Sequence, residues 1–228
     1  MITNKTLIDD ITKITDYNNV KEYLFIRAIS AENNDLSLVP HTIIGDLAIT
    51  YHVLIKTTEN QMCFARITNT LLMDYGISLD QLHVDAINSS TKIMPAQIRP
   101  LESVILGLPD EVVEQNASVN MYFVTNQNYT DGAGTIFYPE LLKTVSTRLD
   151  KSLYIIPSST DECILISEGG KVNPKELQKT LMFVNRTDAV DDNKFLSDTI
   201  YHYDKDSRLF EKAEDYQKRM NRQNIFCH

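Results

Sequence analysis

Residues 46–56 constrain the fold more than any other stretch: Leu47, Ile49, Tyr51, Val53 and Ile55 alternate with Ala48, Thr50, His52 and Lys56, and Leu54 alone breaks the pattern. A strand sends successive side chains to opposite faces, so this period of two predicts a half-buried strand with an apolar inner face. The polar run Thr57, Thr58, Glu59 and Asn60 then predicts a turn, and residues 62–67 return as the second strand of an antiparallel hairpin. Helical signals follow at once. Asn69 or Thr70 caps a short helix ending at Gly76, and Ser78 with Gln81 forms a capping box whose helix places Leu79, Leu82, Ala86 and Ile87 on one face.

Residues 23–29 fit a further strand without excluding a helix, and Pro100 opens a short helix that Gly107 closes. Residues 109–119 are polar and acidic without strong periodicity, which marks a boundary between lobes. Beyond it, residues 121–125 predict a strand, 126–134 a loop, and Pro139 starts a helix with Leu141, Leu142, Val145 and Leu149 inward. The continuous apolar runs 153–156 and 163–166 predict central strands covered on both faces. Between them lies the turn Pro157, Ser158, Ser159, Thr160, Asp161. Asn173, Pro174 and Glu176 begin another helix, residues 199–203 and 208–210 a closing hairpin, and a charged helix follows from Glu211. The fold class is therefore α+β, with mixed, mainly antiparallel sheets and flanking helices: an N-terminal lobe 1–108, a linker 109–119, a C-terminal lobe 120–212 and a charged helical tail 213–228.

Composition narrows the function classes. The 228 residues are 43% hydrophobic, enough for a real core, and 22 basic against 31 acidic side chains leave a net charge of −9. That charge repels a phosphate backbone, and the most basic local run, Lys218, Arg219 and Arg222, follows Glu211, Glu214 and Asp215. Direct nucleic-acid binding is not expected. No stretch has the apolar length of a membrane span or an export signal, so no membrane partner is expected. Three widely spaced cysteines, Cys63, Cys163 and Cys227, fit a reducing cytoplasm better than a disulfide framework. The clusters Asp131-Gly132-Ala133-Gly134 and Glu168-Gly169-Gly170 match no phosphate-cradling motif, and no cofactor is expected.

Several strings in order carry a family likeness: Val39-Pro40-His41 with Asp46-Leu47-Ala48-Ile49, Asp74-Tyr75-Gly76-Ile77-Ser78, and Met121-Tyr122-Phe123-Val124-Thr125-Asn126. To these belong Ile136-Phe137-Tyr138-Pro139, Ile156-Pro157-Ser158-Ser159 with Glu162, and Leu196-Ser197-Asp198-Thr199-Ile200-Tyr201. Over roughly residues 15–210 the chain resembles an uncharacterised family of Gram-positive, largely gut-dwelling bacteria. The resemblance implies no established activity. It implies that relatives carry a further N-terminal segment, and that the chain corresponds to the family's later portion. Relatives tend to have a histidine just before the glutamate of the Pro-Ser-Ser turn; this chain has Asp161, which weakens a catalytic histidine there.

Three constellations could carry chemistry. His41 with Asp46, joined by Tyr51, could form a carboxylate-oriented general base, or His41 could simply bond the backbone of its loop. Ser158, Ser159, Asp161 and Glu162 could supply a hydroxyl nucleophile or a hard-metal site, although serine and aspartate are also what a tight turn prefers. Asn126, Asp131, Gly132 and Gly134 lie on a loop after a strand end, where ligand contacts often sit. Zinc is disfavoured: Cys63 and Cys163 are read as core residues, and Cys227 and His228 sit at the end of the chain. His52 and His83 are read as solvated and His202 as a cross-strand partner.

A cytoplasmic bacterial protein-interaction or regulatory module is the reading these observations favour, with a protein partner or a second copy of the chain as its target. Its acidity would suit an inhibitor or accessory of a nucleic-acid-handling machine. The alternatives are a hydrolase-like enzyme using the His41/Asp46 region or the 158–162 turn, and a small-ligand sensor with a pocket under the 126–134 loop.

Overall fold

A computed structural model describes residues 5–8, 11–58, 62–116, 120–169, 172–187 and 191–226. The chain divides into two compact units, Met1–Ala96 and Gln97–His228. Glu59, Asn60, Gly170, Cys227 and His228 lie outside the described residues.

The first unit runs β1 (Lys5–Thr6), α1 (Tyr17–Val20), β2 (Leu24–Ser30), β3 (His41–Ile44), β4 (Leu47–Thr57), β5 (Met62–Arg66), α2 (Asn69–Tyr75) and α3 (Leu79–Ile93). Everything in its sheet pairs antiparallel with β4: β2 along Leu47 to Val53 and β1 at Lys56 and Thr57, β3 along Leu47 to Thr50, and β5 from His52 to Thr57. The strand expected from the alternation is there, but its polar face is not wet. Residues 47–54 are all buried, Ala48, Thr50 and His52 included. Two local contacts make that burial tolerable: His52 Nε2 lies 3.0 Å from Thr50 Oγ1, and the imidazole packs against Phe25 and Phe64. Leu54, which broke the pattern, joins Phe25 and Met94 in a cluster on that face.

Helix α3 begins as its capping box predicts, with Ser78 Oγ accepting from the Gln81 amide. It buries Leu82 and Ala86 and seals the free edge of β2, because Ser90 Oγ accepts from the Ile26 amide at 3.0 Å. An edge strand left open is a template for unwanted pairing, and here a helix supplies the missing partner. Helix α2 starts slightly earlier than expected: Thr68 is the cap, accepting from Leu71 N, and Gly76 ends the helix at φ 65°.

The second unit begins within β6 (Ala96–Pro100) and continues through α4 (Leu101–Leu106), α5 (Asp110–Asn116), β7 (Met121–Asn126), a 3-10 turn (Gly132–Phe137), α6 (Leu141–Leu149), β8 (Leu153–Ile156) and β9 (Cys163–Ser167). It closes with α7 (Pro174–Asn185), β10 (Tyr201–Tyr203), β11 (Phe210–Lys212) and α8 (Ala213–Phe226). Its sheet has the order β11-β10-β8-β9-β7-β6, so the two continuous apolar runs are central, as expected. The division of the chain falls earlier than the 109–119 segment. Strand β6 hydrogen-bonds into the second sheet, and Arg99 on it forks onto Asp110 through Nε at 3.1 Å and Nη2 at 2.8 Å, tying in α5. That segment lacks apolar periodicity because, of the described residues of α5, only Val113 is buried. Among the described residues no helix is long and apolar enough to cross a membrane.

Candidate functional site

The loop after β7 and the turn between β8 and β9, met in the sequence as separate candidates, form one polar clasp. Thr125 and Asn126 end β7 fully buried. Asn126 folds the loop on itself, its Oδ1 accepting from Asn128 N at 2.9 Å and its Nδ2 donating to the Thr130 carbonyl at 2.7 Å. The chain then passes through positive φ at Tyr129 and Asp131 and delivers consecutive amides to the turn: Gly132 N to Asp161 O and Ala133 N to Thr160 O, each at 3.1 Å. Thr125 Oγ1 donates to the same Asp161 carbonyl at 2.6 Å. Gly132 is required by space: a Cβ there would lie 2.2 Å from Thr125 Oγ1, 2.5 Å from Asn126 N and 2.6 Å from Asp161 O. Gly134 is buried in the 3-10 turn that follows.

Asp161 is the centre of this clasp. Its Oδ1 accepts from Asp131 N and from Lys194 Nζ, both at 2.8 Å, while Thr160 N donates to the Lys194 carbonyl. Ser159 Oγ donates to Glu162 Oε1 at 2.8 Å and accepts from Asp161 N at 3.0 Å. Ser158 beside it is half-buried. A serine beside a carboxylate can lose a proton only to that carboxylate, a weak base for an alcohol, so the pair is poorly placed for nucleophilic attack. These side chains hold backbone to backbone.

His41 and Asp46 belong to the first unit. His41 opens β3 and its Nδ1 donates to the Val39 carbonyl at 2.8 Å, while Asp46 sits in the turn after Gly45 and its carbonyl accepts from Ala31 N. Tyr51 finds a different imidazole. Its hydroxyl lies 2.8 Å from His83 Nδ1 and 2.6 Å from Thr42 Oγ1, and burial pushes the phenol up to about 12. His83 is thus half-buried and bonded rather than solvated, with its own pKa lowered by burial.

Sequence reasoning missed an acid–base cluster around His202. His202, on β10, is fully buried, stacks on Tyr216 of α8 with ring centroids 3.6 Å apart, and meets Tyr154 of β8 edge-on at 5.1 Å. Glu168, just past β9, accepts from the Tyr216 hydroxyl at 3.0 Å and lies 3.5 Å from His202 Nε2. Burial lowers the imidazole's pKa against the opposing pull of Glu168, and it raises Tyr154 to about 12. The cross-strand role expected of His202 is present, opposite Tyr154 and Glu211. Nothing in the spacing tied it to Glu168 or Tyr216.

Cys163 is a buried core residue whose thiol is pushed up by burial, as expected of a structural cysteine, whereas Cys63 is exposed on β5, contrary to the sequence reading. Among the described residues no group of three or more histidine, cysteine or acidic side chains could hold a metal ion. A groove of about 320 Å³ runs between the start of α7 and α8, lined by polar groups including Lys175, Gln178, Gln217 and Asn221.

Two antiparallel sheets with flanking helices, a loop clasped through Asp161 and a histidine enclosed by tyrosines define an α+β protein. The chain belongs to a family of unknown function, DUF5688, whose model matches residues 1–205. No curated protein and no solved structure matches it. The matched span includes the clasp, Glu168 and His202, and ends before β11 and α8.

Proposed function

We propose that this chain is a protein-interaction or regulatory module of the bacterial cytoplasm. The observation that carries the reading is the direction of the clasp's chemistry: Asn126 and Asp161 spend their polar atoms on neighbouring backbone and on Lys194, and Ser159 spends its own on Asp161 N and Glu162, which fixes a loop. Large apolar side chains, by contrast, stand exposed on α4 and α5. The charge of −9 suits an accessory or inhibitor that meets a basic partner, including one that handles nucleic acid.

Native mass spectrometry of the tagged full chain, drawn gently from its host's lysate, tests this. A stoichiometric protein-sized added mass supports the module. Turnover that follows the pure chain and vanishes in Ser159→Ala would instead establish the hydrolase-like alternative, which draws on the 2.8 Å Ser159–Glu162 contact.

A further inference from the structure

Four large apolar side chains stand in the open within eight residues of chain: Ile105 at 70% exposure, Leu106 at 64%, Leu108 at 39% and Val112 at 44%. A contiguous apolar group on a folded surface marks a binding site when its scaffold is rigid and its rim is polar. Both conditions hold. Gly107 ends α4 at φ 67°, its amide and that of Leu108 both return to the Ser103 carbonyl, and the Val112 amide bonds Pro109 O at 3.1 Å. Arg99 then locks α5 to the sheet through Asp110. The backbone that presents these side chains is therefore hydrogen-bonded.

The rim carries an excess of negative charge. No lysine or arginine occurs between Arg99 and Lys143. Asp110 is answered by Arg99 and Glu114 by Arg148, while Glu102 and Glu111 are exposed and without an ion pair among the described residues. An acid-rimmed apolar patch repels anionic lipid headgroups and phosphate. It also disfavours a second copy, since a two-fold contact would set these rims against each other.

We propose that the α4–α5 surface receives a basic amphipathic helix of a partner protein, whose apolar stripe covers Ile105, Leu106, Leu108 and Val112 and whose lysines or arginines meet Glu102 and Glu111. This rests on the interaction reading above and names the chemistry of its partner. Helices of this type dock through residues at i, i+3, i+4 and i+7, a stripe that matches a short apolar ridge.

The probe is a synthetic helical peptide with leucine at those positions and lysine elsewhere, titrated against the full chain by fluorescence anisotropy. One control has the same composition with its leucines scattered, and another has glutamate for lysine. The patterned basic peptide binds at micromolar Kd, roughly tenfold or more weaker to Ile105→Ser/Leu106→Ser and to Glu102→Lys/Glu111→Lys, while both variants keep the wild-type Tm. Equal binding by the scattered peptide, binding that survives Ile105→Ser/Leu106→Ser, or no binding overturns the proposal. So does a wild-type dimer that this variant dissociates, which would make the occupant a second copy. The two readings fail separately: a native partner retained by Ile105→Ser/Leu106→Ser removes this surface but leaves the module, whereas no partner on the wild type removes the module.

Discussion

Gly132 and His52 show how much a single residue decides here. Replacing Gly132 with alanine drives a methyl into backbone atoms of Asn126 and Asp161, which cannot move without opening the clasp. Gly132→Ala should lose about 2 kcal/mol or more, read as a lower midpoint in urea denaturation; an unchanged midpoint would mean that the loop relaxes freely. His52 tests the linkage between burial and pH. Its folded pKa lies well below 6.5, chiefly through burial and then through Arg27 and Arg66, so near pH 6 the unfolded chain binds a proton that the native chain refuses. Stability should therefore be complete above about pH 7 and fall as pH drops through 6.5, by at most about 1.4 kcal/mol per pH unit for this residue. Denaturation of the wild type and His52→Gln at pH 7.5 and 5.5 checks the sign: the variant should lose less between the two.

Elements succeed or fail at their edges. Ser90 gives the edge of β2 an acceptor for Ile26 N, and Ser90→Ala would leave that amide buried without one. A loss of about 1–3 kcal/mol is expected, with faster hydrogen exchange at Ile26 than at its neighbours in β2. Helix α8 depends on the Tyr216–His202 stack and the Glu168 bond, so Tyr216→Ala should raise exchange along α8 and leave β8 and β9 protected. Uniform exchange changes in both would show that α8 is integral to the sheet. The sequence disclosed what is written locally. Ser78 with Gln81, Asn173 with Pro174, and Gly107 each mark a helix end where it occurs, and the runs 153–156 and 163–166 are central strands. What it hid lies between distant residues: Tyr51 and His83 are 32 positions apart, Thr125 and Asp161 are 36, and Glu168 and Tyr216 are 48. Alternation in β4 was visible, but not that Thr50 Oγ1 meets His52 Nε2 and that Phe25 and Phe64 enclose the imidazole on a face that is dry. Asn126, Asp131 and Gly132 were found as loop residues and Ser159 and Asp161 as turn residues, yet no pattern in either announces that they bind each other.

For the whole molecule, charge sets a plain expectation. Arg99, Arg148, Lys194, Lys205, Lys218 and Arg219 are each paired with carboxylates, and the chain as a whole carries −9. Fluorescence polarisation with labelled duplex DNA at physiological salt should show no binding up to high micromolar protein; saturable binding there would refute the assignment of a protein rather than a nucleic-acid partner. The routing of every ladder in the first sheet through β4 bears on how the chain is made. Strands β1, β2 and β3 each pair with β4. A nascent chain that has emerged only as far as residue 44 would therefore hold three strands with nothing to pair with, their unsatisfied amides open to solvent and to chaperones. Once residues 47–66 have emerged, the tight turn at Gly45 brings β3 onto β4 and the rest have a template. A translational pause that holds the chain with residue 44 emerged and residues 47–66 still inside the ribosome is thus the costly one for this protein, and a pause after residue 66 has emerged is harmless to the first sheet.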